Sequence, residues 1–192
     1  MKKKILYIAL VLICLSIITG GTLSYFAAGD TARNVITSGG IDVKIVEQQL
    51  VDGKLLPYPE TPVEVMPATT VSKIVSVQNV EEPAWVRVSY TVTVYDSTGK
   101  VLEVPADELE KVIVISPDSE NWTKKDGWWY CNAALDTGES SAPLFEEVVF
   151  SGAEMDNKYQ NCTTEINVVA QAVQAANNGS TVFEALGWAD NK

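Results

Sequence analysis

Trp85-Val86-Arg87-Val88-Ser89-Tyr90-Thr91-Val92-Thr93-Val94-Tyr95 is the stretch on which the fold turns. Val86, Val88, Tyr90, Val92 and Val94 fall on one face of an extended chain, and Arg87, Ser89, Thr91 and Thr93 on the other. That is the period of a half-buried strand. On its N-terminal side, Ile41-Asp42-Val43-Lys44-Ile45 repeats the pattern, and residues 71–79 form a second β-rich run. Between them, residues 52–68 carry Asp52-Gly53 and four prolines, which remove backbone donors and restrict the segment to an exposed loop or sheet edge.

C-terminal to the central run, Asp96-Ser97-Thr98-Gly99 has turn composition. A short strand or helix is expected over residues 105–112 and a strand over 112–115. Residues 117–126 read as polar loop, 127–131 as a strand, Asp136-Thr137-Gly138-Glu139 as a turn and 144–150 as another strand. Residues 164–175 are β-branched enough to close the sheet, although their alanines also admit a helix. Thr181-Val182-Phe183-Glu184 matches a capping box and predicts a short terminal helix through Leu186. The expected fold is therefore mainly β, an antiparallel jelly-roll-like sandwich with one or two short helices.

Composition narrows the chemistry. The chain has 192 residues, 25 acidic against 14 basic, a formal net charge of −11, and no histidine. A body this acidic repels phosphate backbones, so nucleic acid is not an expected partner. Without histidine there is no Ser-His-Asp triad, no Cys-His pair and no HExxH zinc site. No catalytic residue, metal or cofactor is assigned.

Residues 1–26 consist of Lys2, Lys3 and Lys4, an apolar run over 5–18, and Thr19-Gly20-Gly21-Thr22. Fourteen residues of helix rise about 21 Å, short of a hydrocarbon core of roughly 30 Å. A signal-peptide helix fits this better than a permanent anchor, with cleavage near Tyr25, Phe26, Ala27 and Ala28. Membrane contact is then expected only through the uncleaved leader, and the product is secreted or held at the cell surface. Export permits a disulfide between Cys131 and Cys162, which would close a loop of about 32 residues worth roughly 3–4 kcal/mol. Two buried free thiols are the alternative. Trp128 and Trp129 invite a glycan-stacking reading as surface aromatics, against a plain packing role.

Three segments together resemble the TasA/camelysin family of exported Gram-positive proteins. They are Gly20-Gly21-Thr22-Leu23-Ser24-Tyr25-Phe26 with Asn34-Val35-Ile36-Thr37-Ser38-Gly39-Gly40-Ile41-Asp42-Val43; Met66-Pro67-Ala68-Thr69-Thr70-Val71-Ser72-Lys73 with Ala84-Trp85-Val86-Arg87-Val88; and Gly127-Trp128-Trp129-Tyr130 with Leu135-Asp136-Thr137-Gly138-Glu139 and Pro143-Leu144-Phe145. Pro67-Ala68 stands where relatives often have a proline-glycine turn. The resemblance implies a jelly-roll domain, processing by a SipW-type signal peptidase, and assembly with copies of itself or related subunits into extracellular biofilm-matrix fibres. Camelysin-like relatives have been classed as surface metallopeptidases, an activity for which a histidine-free chain offers poor ligands.

On this reading, residues 1–26 are the signal peptide, 27–40 an N-terminal arm and 41–192 the sandwich. An antiparallel sandwich has edges that can template another chain. The arm, with Asn34, Val35 and Ile36, is expected to dock on a neighbouring subunit as a donor strand. A first strand within its own domain, or an unstructured terminus, is the alternative.

Overall fold

A computed structural model describes residues 26–29, 33–37, 40–60 and 63–189. In chain order its elements are β1 (Phe26–Gly29), β2 (Arg33–Thr37), β3 (Val43–Val51), β4 (Lys54–Pro57), β5 (Val63–Val65), β6 (Thr69–Asn79) and β7 (Ala84–Tyr95). Then come α1 (Ala106–Val112), β8 (Ile113–Ile115), β9 (Trp122–Lys125), β10 (Trp128–Cys131), β11 (Phe145–Phe150) and β12 (Thr163–Gln174). The expected leader helix lies outside the described residues.

The strands form two sheets, as a β-sandwich requires. One runs β5-β1-β12-β7-β10-β9, with β2 also on β12; the other runs β4-β3-β6-β11-β8. The alternation at 85–95 places Val86, Val88 and Val94 in the core, facing Val75 and Val77 of β6 and Phe145 of β11. β12 pairs antiparallel with β7 from Thr163↔Tyr95 to Gln174↔Ala84, so the two longest strands form the spine of their sheet.

α1 follows Pro105, its N-cap residue, whose φ of −56° leads into the helix and whose missing N–H is no loss there. Asp107 and Glu108 sit in its first turn and Lys111 in its last, complementing the helix dipole. The β-branched run Ile113-Val114-Ile115 ends it by turning the chain into β8.

Three expectations need correction. Residues 117–126 are not all loop, because β9 pairs with β10 from Trp128↔Lys125 to Cys131↔Trp122 across Asp126-Gly127. Both turn residues have positive φ, 50° and 81°, the conformation that Asp-Gly adopts in a two-residue hairpin. The capping box at 181–184 makes a turn and no helix: Glu184 Oε2 does accept from the Ser180 N–H at 2.8 Å, but the chain stays in turn and coil through Gly187. Finally, the pairing is not wholly antiparallel, since β1 and β2 run parallel to β12.

The Pro67-Ala68 turn forms without its glycine. Ala68 takes φ 62°, a left-handed conformation in which an alanine is strained and a glycine is not.

Candidate functional site

β12 is paired along both of its edges. β7 covers one edge of β12 along its whole length. The other edge is taken by the arm in two steps: Ala27, Ala28 and Gly29 of β1 pair with Thr163, Thr164 and Glu165, and residues 33–37 of β2 pair with 168–172. Asn34 lies opposite Val169, Val35 opposite Ala170 and Ile36 opposite Gln171. The arm therefore occupies β12 of its own chain. Of the cleavage-region residues, Phe26, Ala27 and Ala28 lie in β1, which also pairs with β5; Tyr25 lies outside the described residues.

The outer face of the β12-β7-β10 sheet is covered as well. Trp85, Trp128, Tyr130 and Val173 form a second apolar cluster with Val182 and Ala185, so the segment after β12 folds back over this face. Arg87 stands at its centre, with its guanidinium 4.4 Å from the Trp128 ring centroid and 4.7 Å from that of Trp188. It donates to Gln171 Oε1 at 3.0 and 2.6 Å, to the Tyr130 hydroxyl at 2.9 Å and to the Ala189 carbonyl at 3.1 Å. A planar guanidinium both stacks and bonds in this way, which an ammonium does not. Asn178 fastens the same segment, accepting from the Leu186 N–H and donating to the Leu186 carbonyl.

That cover corrects the reading of Trp128 as a surface aromatic, because only 4% of it is exposed. Trp129, on the opposite face of β10, is half-buried in a lateral cleft beside Tyr90 and Leu109. The tryptophans do not make one platform. The sequence signal for a covered face was present in Trp85, Trp128 and Tyr130, which are too apolar for a surface left in water.

The proposed Cys131–Cys162 disulfide is also corrected: both cysteines are buried free thiols. Tyr130 pairs with Arg87 and Thr163 with Tyr95, so the cysteines next to them sit at opposite ends of β7, about 26 Å or more apart at 3.3 Å per residue. A disulfide needs Cα atoms within about 7 Å. Burial pushes both thiols above their usual pKa, which makes them poor nucleophiles. Thiol titration should therefore find Cys131 and Cys162 unreactive in the folded chain and both reactive in denaturant, with no change in electrophoretic mobility on reduction.

Between the sheets lies an ion pair that no motif announced. Lys73 Nζ is 3.2 Å from Glu47 Oε1, and their side chains are only 2% and 1% exposed. The Tyr58 ring covers the ammonium at 3.8 Å. The signal was periodic: Lys73 stands in register with Val71, Val75 and Val77, and Glu47 with Val43 and Ile45. Burial, then the Glu47 charge, push the Tyr58 phenol up to about 12. The folded chain keeps this proton where an unfolded tyrosine, with a pKa of about 10, has lost it. The resulting stabilisation is whole below pH 10 and disappears as pH rises through 12. Denaturant midpoints should fall across that window, and Tyr58→Phe should flatten part of the fall.

Among the described residues, no group of three or more aspartates, glutamates or cysteines gathers to hold a metal, and no helix is long and apolar enough to cross a membrane. The chain matches no protein-family model, no curated protein and no solved structure.

Proposed function

We propose that this chain is a secreted, non-enzymatic structural protein, a subunit or accessory component of an extracellular matrix fibre or surface layer that assembles by strand addition. The observation that carries the reading is the filling of the free β12 edge by a separate N-terminal arm, in the only parallel pairings among the described strands. In chain order the arm strands β1 and β2 precede β3, which belongs to the opposite sheet. The same backbone hydrogen bonds form whether the arm lies on its own β12 or on a neighbour's, so exchange conserves the pairing and links copies into an open row.

The leader-like residues 1–26 and the TasA/camelysin resemblance support the same reading. A SipW-type signal peptidase, cutting near Tyr25 to Ala28, would release the arm and so make assembly follow export.

Locking the arm tests this. Asn34→Cys with Val169→Cys puts two thiols at paired positions. Oxidised in dilute solution, this variant should stay folded and fail to form pelletable fibres seen by electron microscopy, and reduction should restore them. Fibres that form equally well with the arm locked would remove it from assembly.

A further inference from the structure

The arm does not meet β12 in a single register. Gly29 pairs with Glu165 and Arg33 with Val168, so the arm advances four residues while β12 advances three. Residues 30–32 on the arm thus face only Ile166 and Asn167, and the arm holds one residue too many for a continuous ladder. An extra residue on one strand disrupts the ladder locally, and such insertions are rare between parallel strands. Because strands alternate with period two, the slip also changes which arm positions fall opposite the buried residues of β12. Even-numbered Ala28 stands opposite Thr164, whereas odd-numbered Val35 stands opposite Ala170.

β12 shows the imperfect fit on its own side. Thr164 Oγ1, Asn167 Oδ1 and Gln171 Nε2 are buried and have no hydrogen-bond partner. Thr164 lies opposite β1, Gln171 opposite β2, and Asn167 in the interval between them. Buried polar atoms are seldom left unpaired in this way. The two pieces of the arm are also held unequally, since β1 lies between β12 and β5 while β2 pairs with β12 alone.

We propose that this one-residue slip is the release device of the arm: it divides the docking on β12 into two short pieces, so that the arm leaves its own chain readily enough to be exchanged. Each piece must be ordered separately, and neither draws on the pairing of the other. The inference rests on the assembly reading and assigns the control of exchange to the number of residues in the arm. The extra residue is Asp30, a type that strands avoid, whereas Thr31 is one they favour. Without Asp30 the two registers become one. Thr31 then falls opposite Ile166 and Ala32 opposite Asn167, every existing pair is kept, and β12 is matched at all ten positions from 163 to 172.

Deletion of Asp30 from the full-length chain, expressed in an exporting host and purified as recovered, tests this. Amide hydrogen exchange over residues 27–37 should slow at least about tenfold, because one or two added backbone hydrogen bonds shift docking by that order. Fibre formation, followed by pelleting, should slow by a similar factor with unchanged circular dichroism. Asp30→Thr keeps the residue count, and should exchange and assemble within about threefold of the parent. The parent supplies a measurement that does not depend on the deletion folding: its arm amides should exchange at least about 100-fold faster than those of β7, which pairs with the other edge of β12. Arm amides as protected as those of β7, a deletion that leaves exchange unchanged, or Asp30→Thr slowing exchange as much as the deletion would each overturn the proposal. If the deletion slows exchange while neither protein ever forms fibres, only the assembly reading fails. If fibres form and are lost when the arm is locked, yet the deletion alters neither exchange nor assembly, only the slip fails.

Discussion

Lys73→Met should lower the thermal midpoint by about 6–20 °C. The substitution leaves the Glu47 carboxylate, 1% exposed, without the ammonium 3.2 Å away. Breaking a buried pair in this way costs about 3–5 kcal/mol. A chain of this size loses about 2–4 °C per kcal/mol. Methionine is close to lysine in length and flexibility, so the substitution removes chiefly the ammonium that lies over the Tyr58 ring. Replacing both partners, Lys73→Met with Glu47→Leu, should return stability to the starting value or above, since desolvation of the two charges offsets most of their attraction. Thermal unfolding followed by circular dichroism reads both results. A single variant within about 1 kcal/mol of the parent would show that the pair is not held dry.

Trp122→Ala is the other large effect. Trp122 is the largest fully buried side chain among the described residues, with 1% exposed, although it sits on β9, an edge strand of its sheet. Its indole N–H donates to the Ala142 carbonyl at 3.1 Å and ties β9 to the segment leading into β11 of the opposite sheet. Truncation opens a cavity and orphans that carbonyl, at a cost of about 3–5 kcal/mol. Trp122→Phe keeps most of the ring and should cost roughly half as much. Thr123, next on the strand, is exposed and its hydroxyl donates to Asn132 Oδ1 at 2.8 Å, so alanine there should cost at most about 1 kcal/mol. Equilibrium urea unfolding distinguishes the three cases.

The central strand was legible because one side of residues 85–95 is purely apolar in alternate positions, a pattern that only a pleated, half-buried chain satisfies. The runs at 41–45, 71–79 and 144–150 were legible for the same reason. β9 was not, because Thr123-Lys124-Lys125 carries the polar residues that protect an exposed edge, and those also make a strand look like a loop. Asp126-Gly127 held the missing information, as a hairpin turn that needs a strand on each side. The cover over Arg87, Trp128 and Tyr130 is a contact between segments far apart in sequence: Arg87 bonds to Ala189. Periodicity reports which face is apolar and says nothing of what lies on it. The cysteine pairing failed for a related reason. Chain entropy evaluates a loop by its length, whereas the register along β7 decides whether its ends can meet.

The arm shows the same limit from the other side. Val35 and Ile36 marked a strand, but its parallel pairing with β12 rests on the topology of the whole sandwich. In the structure the arm lies on β12 of its own chain, and the proposed strand exchange would lay it on a neighbour's β12 in the same register.

Two chains settle that question, one carrying only Asn34→Cys and the other only Val169→Cys, mixed after export and oxidised as they assemble. Strand exchange should yield a covalent heterodimer linked at residues 34 and 169, absent when either variant is oxidised alone. If the mixture yields no such dimer while the double variant closes its bridge within single chains under the same conditions, the arm belongs to its own domain and strand exchange does not join the copies.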